Sequence, residues 1–242
     1  ICAAVIAAIM CWEMSKIIYH LSDQDEKLKG LVGTAWLILF LNMVIPRSVL
    51  ETTVIAFTAL FAYYLATADR HAHHLKDHFE EFVYTIFCLV YIVVCISFLQ
   101  LIRQQIYGIH WTLFFFFIVW SVDIGAYFAG RKYGRPKLYP LISPGKTVEG
   151  VVGGIGAAVV FSIIFKLVSF KALGWMAAIT IPAIIGTFSQ IGDLCESFLK
   201  RSYGIKDTGK ILPGHGGFLD RFDGVLFSLP FMYFCIKIFA AA

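Results

Sequence analysis

Apolar runs close to the length of a bilayer crossing recur along this chain, separated by short polar segments. A helix needs roughly 20 apolar residues to cross the hydrocarbon core. In lipid, every backbone N–H and C=O must also find its partner inside the protein. The chain is 59% hydrophobic and 15% charged over 242 residues, whereas a soluble domain sits near half apolar. A soluble all-helical core would not need runs of this length. The expected fold is therefore all-α: a polytopic transmembrane bundle of about eight helices, whose polar pocket on the cytoplasmic side is expected from its charged stretches.

The runs place helices over 1–19, 31–46, 49–67, 80–102, 108–130, 150–170, 173–194 and 222–240. The second is short for a full crossing, and Pro46 after it suits a tight hairpin. Residues 1–105 read as N-terminal membrane helices, and 106–242 as the region that carries the chemistry. The six cysteines form no CxxC pair and mostly lie inside apolar spans. Buried thiols are expected, not a disulfide framework or a zinc site. The opening ICAAVIAAIMCW has no initiator Met and no basic leader, so further N-terminal residues are expected upstream.

Counting lysines and arginines alternately across the spans puts most of them on the side of the 131–149 loop. The positive-inside rule makes that side cytoplasmic. The 131–149 loop and the 195–223 segment then share one face and can build one site.

Polar residues concentrate in three stretches. In the first, residues 120–138, Asp123 interrupts a strongly apolar run. A carboxylate at membrane depth is a functional candidate; the alternative is an Asp near a helix end, hydrated or paired with Arg131 or Lys132. The second is SPGKTVEG, residues 143–150. Gly145-Lys146-Thr147 has the flavour of a phosphate loop, but the earlier glycine of GxxxxGK[ST] is missing and no strand is expected before it. Lys146 could still meet a phosphate at the N-terminus of the next helix, with Ser143 or Thr147 as cap and Glu149 in the first turn. A plain helix cap explains the stretch equally well.

The third stretch runs from Ser189 into KILPGHGGFLDRFDG. Asp193 and Glu196 are three apart, as are Asp220 and Asp223, a spacing that shares one side of a helical turn. Such hard carboxylates suit Mg²⁺, which takes one or two of them plus substrate phosphates. No Cys/His cluster accompanies them to suit zinc. Lys200, Arg201, Lys206 and Arg221 can hold polyphosphate, and glycines around His215 let backbone N–H groups approach a ligand. Binding of anionic lipid headgroups would explain the bases but not the paired acids. His71, His73, His74 and His78 lie among charges before a span and read as a solvated connector.

Ser197-Phe-Leu-Lys200-Arg201, four residues, Lys206-Asp207, Gly209, then Leu212-Pro213-Gly214-His215-Gly216-Gly217-Phe218-Leu219-Asp220-Arg221-Phe222-Asp223 resembles the signature of phosphatidate cytidylyltransferases (CDP-diacylglycerol synthases), without departure. DIGAYFAGRKYG, SPGKTVEG and GDLCES resemble further blocks of that family in the same order, in wording closer to bacterial members. The resemblance is strong over about 120–225; the earlier helices share only their apolar character. It implies transfer of CMP from CTP to phosphatidate, giving CDP-diacylglycerol and pyrophosphate, with Mg²⁺ and room for a second cation if both acid pairs and Asp123 converge. It implies Asp193 and Asp220 as metal ligands, with Glu196 and Asp223 alongside. Lys200, Arg201, Lys206, Asp207, His215 and Arg221 would be catalytic, and Asp123, Ser143, Lys146, Thr147, Glu149, Gly216 and Gly217 would bind substrate. A homodimer in the bacterial inner membrane, facing the cytoplasm and without a nucleic-acid partner, is the implied setting. A CTP-dependent polyprenol or phytol kinase would share lysines and acids but not the whole signature. A transporter would set its acids nearer the midplane.

Overall fold

The structure is a computed structural model that describes residues 2–19, 49–69, 74–209 and 216–239. Among these residues are seven long helices and one two-stranded sheet. The helices are α1 (Cys2–Tyr19), α2 (Val49–Thr67), α3 (Leu75–Arg103), α4 (Gly108–Tyr133), α5 (Val148–Val168), α6 (Trp175–Ser202) and α7 (Asp223–Phe239). The sheet pairs β1 (Lys137–Tyr139) antiparallel to β2 (Ser143–Thr147). Helices α2 to α6 are long and apolar enough to cross a membrane, which makes this a multi-pass membrane protein. The all-α bundle expected from the apolar runs is borne out, and the span expected over 31–46 lies outside the described residues.

Two boundaries moved for one physical reason. Hydropathy marks where a helix leaves lipid, not where its hydrogen bonds stop. Helix α3 starts at Leu75 rather than 80, with Lys76 and Glu80 paired one turn apart at 3.7 Å. Helix α6 runs to Ser202 rather than 194. Ser197 Oγ donates to Asp193 at 3.3 Å, and Lys200 meets Glu196 at 3.5 Å, so the polar turns carry i,i+4 ties of their own. The helix ends where Gly204 takes a φ of 68°. Ile205 N–H then donates to Lys200 O, and Gly204 N–H to Arg201 O, the paired bonds of a Schellman stop. A six-residue π-helical stretch, Leu89–Val94, lies inside α3.

The chain forms two compact units. One holds Ile1–Ser97 with Asp207–Leu219, the other Phe98–Lys206 with Asp220–Ala242. In the first, His78 corrects the expected solvated connector. It is buried, and its Nε2 lies 3.1 Å from Thr67 Oγ1 and 3.0 Å from Tyr64 O, tying α3 to α2. His74 stays exposed beside Asp77, and His71 and His73 lie outside the described residues.

In the second unit, α4 and α5 approach along small residues. A Cβ on Gly154 would lie 2.7 Å from Val122 O, and one on Gly125 would lie 2.9 Å from Gly153 O. Lipid gives helices no hydrophobic reason to associate, so close backbone contact supplies the attraction. Ser162 Oγ donates to Ala178 O at 2.6 Å, joining α5 to α6. The core beneath is aromatic: Trp111 meets Phe170 edge-on at 4.7 Å, and Phe188 stacks on Phe231 at 3.4 Å. Gly154→Ala should therefore lower thermal stability in micelles by about 1–3 kcal/mol. Gly156→Ala meets nothing within 4 Å and should be neutral or slightly stabilising by its helix propensity. Equal melting temperatures for the two variants would overturn the close-contact account.

Candidate active site

An open cavity of about 950 Å³ in the second unit is lined from α4, the β-hairpin, α6, and the turn into α7. Four carboxylates face it, Asp123, Asp193, Asp220 and Asp223, with four cations, Arg131, Lys137, Lys146 and Arg221. A smaller cavity in the first unit, between α2 and α3, has no charged residue in its lining and offers nothing to a nucleotide.

The hairpin delivers Lys146 from a strand, not from a loop, and β1 precedes it. The preceding strand corrects the expectation that there is none, but Lys146 itself lies on β2 rather than in a glycine-rich loop, so the segment is still not a phosphate loop. Lys146 Nζ lies 2.7 Å from Asp193 Oδ2 and donates to Gln190 O at 3.4 Å. Thr147 is the cap of α5: its Oγ1 accepts the N–H of Gly150 at 3.2 Å. It is buried at the cavity wall, and a Cβ on Gly134 would come within 2.6 Å of that hydroxyl. Glu149, in the first turn of α5, accepts the N–H of Arg135 at 3.2 Å, where a carboxylate suits the helix dipole.

The long α6 carries the second pairing. Lys200 Nζ lies 2.7 Å from Asp220 Oδ1 and 3.5 Å from Glu196 Oε2. Asp220 sits in a 3-10 turn, Leu219–Arg221, and Asp223 opens α7, where its Oδ1 accepts the N–H of Gly224 at 2.6 Å. Glu196 is 1% exposed, does not line the cavity, and neither carboxylate oxygen has a hydrogen-bond partner among the described residues. Thus the acid pairs divide: Asp193, Asp220 and Asp223 face the cavity, and Glu196 lies behind it.

Asp123 is exposed to the cavity and has no ion pair among the described residues. Its possible partner Arg131 instead donates to Tyr127 Oη at 2.9 Å. Arg201 is exposed and reaches backbone carbonyls, Ile142 O at 3.4 Å and Ile205 O at 3.3 Å, bracing the hairpin turn outside the cavity lining. Ser143 opens β2 opposite Tyr139, also outside the lining. Lys206 lies exposed beyond α6. Asp207, Gly216 and Gly217 belong to the first unit. Asp207 is exposed, Gly217 is buried, and Gly216 holds a φ of 80° that a side chain would resist. His215 lies outside the described residues. The sequence reading missed Gln190, a buried amide three residues before Asp193 on α6. Its signal was a lone amide in an apolar run.

No group of three His, Cys, Asp or Glu among the described residues forms a ready cage for a metal. A cage is not what Mg²⁺ needs when a phosphate substrate completes its shell. The donor set fits that use, with hard carboxylate oxygens of Asp193 and Asp220 and the cations Lys146 and Arg221 all lining the same cavity.

A family model described as the cytidylyltransferase family matches residues 1–239. The chain belongs to the cytidylyltransferase family. Among curated relatives, it is 44% identical over 163 residues to a phosphatidate cytidylyltransferase of Bacillus subtilis, covering 67% of this chain and 61% of the relative. It is 46% identical over 159 residues to one of Staphylococcus saprophyticus, covering 65% of this chain and 60% of the relative. A Staphylococcus aureus phosphatidate cytidylyltransferase is 42% identical over 159 residues. The matched part of this cytidylyltransferase chain thus spans about three fifths of those relatives' own length. The resemblance carried by the signature at 197–223 is borne out at the level of family.

Proposed function

We propose that this protein is a phosphatidate cytidylyltransferase that joins CTP and phosphatidate into CDP-diacylglycerol and pyrophosphate. The observation that carries this reading is the pairing of Lys146 with Asp193 and of Lys200 with Asp220 around one cavity at the ends of membrane helices. One substrate is a soluble polyanion and the other a phosphate anchored in lipid, so a charged cavity in a membrane bundle suits both.

A phosphatidate oxygen attacks the α-phosphorus of CTP. The bond from that phosphorus to the bridging oxygen breaks, and pyrophosphate leaves with the electron pair. The attacking phosphate is already anionic at neutral pH, so the protein's work is positioning and charge stabilisation. Lys146, Lys137, Arg131 and Arg221 receive phosphate oxygens within the cavity. Lys200 holds Asp220 in place, with Glu196 one turn behind it on α6. Asp193 and Asp220 would hold Mg²⁺, and Asp223 and Asp123, which line the same cavity, would serve a second cation. When bound, the metal neutralises phosphate charge on the nucleotide and on the leaving pyrophosphate. Thr147 and the glycines beside it keep the wall thin enough for a ligand to reach the helix N-terminus. The site faces the cytoplasm of a bacterial inner membrane in this reading, on the charge bias of the loops, and the enzyme works as a homodimer.

The test is pyrophosphate release by the purified full-length protein in detergent micelles, omitting CTP, Mg²⁺ and phosphatidate in turn. Release that needs all three and yields CDP-diacylglycerol is the expected result. CDP release with a phosphorylated lipid would make the protein a kinase. No release by folded protein would overturn the reading.

A further inference from the structure

Helix α1 is apolar, yet Glu13 within it is 1% exposed. Burying a carboxylate is costly unless its oxygens are bonded, and those of Glu13 are bonded to one segment far along the chain. Oε1 accepts the N–H of Phe218 at 2.9 Å. Oε2 accepts the N–H of Leu219 at 2.7 Å and the hydroxyl of Thr208 at 3.4 Å. All of these residues belong to the first unit, in its segment Asp207–Leu219. The carboxylate therefore closes a staple across both ends of that segment. It has no ion pair among the described residues, so its role is to hold peptide groups rather than to balance a cation.

Gly209 fits the same contact. A Cβ there would lie 2.5 Å from Glu13 Oε1, so a side chain would displace the carboxylate from its donors. The glycine of the KD-x-G part of the signature thus has a physical reason that the signature itself does not reveal. At the other end, Leu219 is wholly buried and is the first residue of the 3-10 turn whose second residue is Asp220.

We infer that Glu13 is a positioning residue: from α1 it fixes the peptide groups of Phe218 and Leu219, and through them sets where Asp220 is presented. This rests on the cytidylyl-transfer reading for its effect on rate, but not for the anchor itself. Glu13 lies outside every block that resembles the family signature. Its sequence signal was an acid inside the first apolar span.

The test compares Glu13→Gln and Gly209→Ala with the parent in the full-length protein, by amide hydrogen exchange and by pyrophosphate release. The glutamine keeps the size but turns an NH₂ group toward one of the two N–H donors. The alanine keeps the carboxylate and pushes it aside. Exchange at Phe218 and Leu219 should rise about tenfold, as losing a hydrogen bond allows, with α4 and α5 peptides unchanged. The kcat should fall about 10–100-fold, the scale of a small misplacement of a reacting group, while KM for CTP stays within a factor of about two because the cavity cations remain. The double variant should be no worse than Glu13→Gln alone.

Faster exchange with an unchanged kcat would make Glu13 a staple only and overturn the positioning role. Unchanged exchange in both variants would overturn the anchor. If Glu13→Gln does not fold, Gly209→Ala carries the same comparison, and failure of both to fold assigns a purely structural role. A parent protein without cytidylyl transfer defeats the functional reading, and the exchange result then stands alone on the anchor.

Discussion

An Asp220→Asn variant should release pyrophosphate on the order of 10³-fold more slowly than the parent, the scale of losing one transition-state charge stabiliser, while staying folded. Asparagine keeps the shape and one acceptor for Lys200, whose Nζ now lies 2.7 Å from Asp220 Oδ1. Lys200 also keeps Glu196 at 3.5 Å, so no buried charge is abandoned. The loss should appear in single-turnover formation of CDP-diacylglycerol, and raising Mg²⁺ should recover only part of it. A rate within about threefold of the parent, less than 1 kcal/mol of barrier, would remove Asp220 from the proposed metal ligands and leave Asp193 as the remaining candidate.

Lys200→Met should cost about 3–5 kcal/mol of stability, because breaking a buried pair strands the partner's charge. The side chains are 13% exposed for Lys200, 0% for Glu196 and 10% for Asp220, so solvent cannot screen what is left. Glu196 is the worst placed, since its oxygens have no hydrogen-bond partner among the described residues. Adding Glu196→Gln to Lys200→Met should therefore restore part of the stability, with a coupling on the order of 1–3 kcal/mol. Thermal unfolding of the single and double variants in the same detergent measures it. Activity should not return with stability, since the double variant still lacks the cation that holds Asp220. Additive destabilisation would mean that Glu196 answers some group other than Lys200.

Length and polarity alone determined the membrane bundle, because the demand for internal backbone bonding in lipid leaves a run of apolar residues one solution. The charged residues around the cavity were legible for a similar reason. Charged residues in an apolar chain are costly, so Asp123, Lys146, Asp193, Lys200, Asp220 and Asp223 stood out before any fold was known. The glycines of α4 and α5 were visible as small residues, and the structure turned them into the close contact at Gly154.

What the sequence could not supply was partnership. Spacing put Asp193 beside Glu196, and Glu196 one turn before Lys200, but only the packing of the hairpin on α6 sends Asp193 to Lys146, and only the turn into α7 brings Asp220 to Lys200. Spacing also left His78 among charges, whereas the packing of α3 on α2 buries it. Glu13 is the extreme case, its carboxylate accepting from peptide N–H groups some two hundred positions away. Periodicity reports on neighbours within one element. Which carboxylate meets which cation or peptide depends on how separate helices pack, and that is decided by close backbone contact and buried polar bonding across the fold.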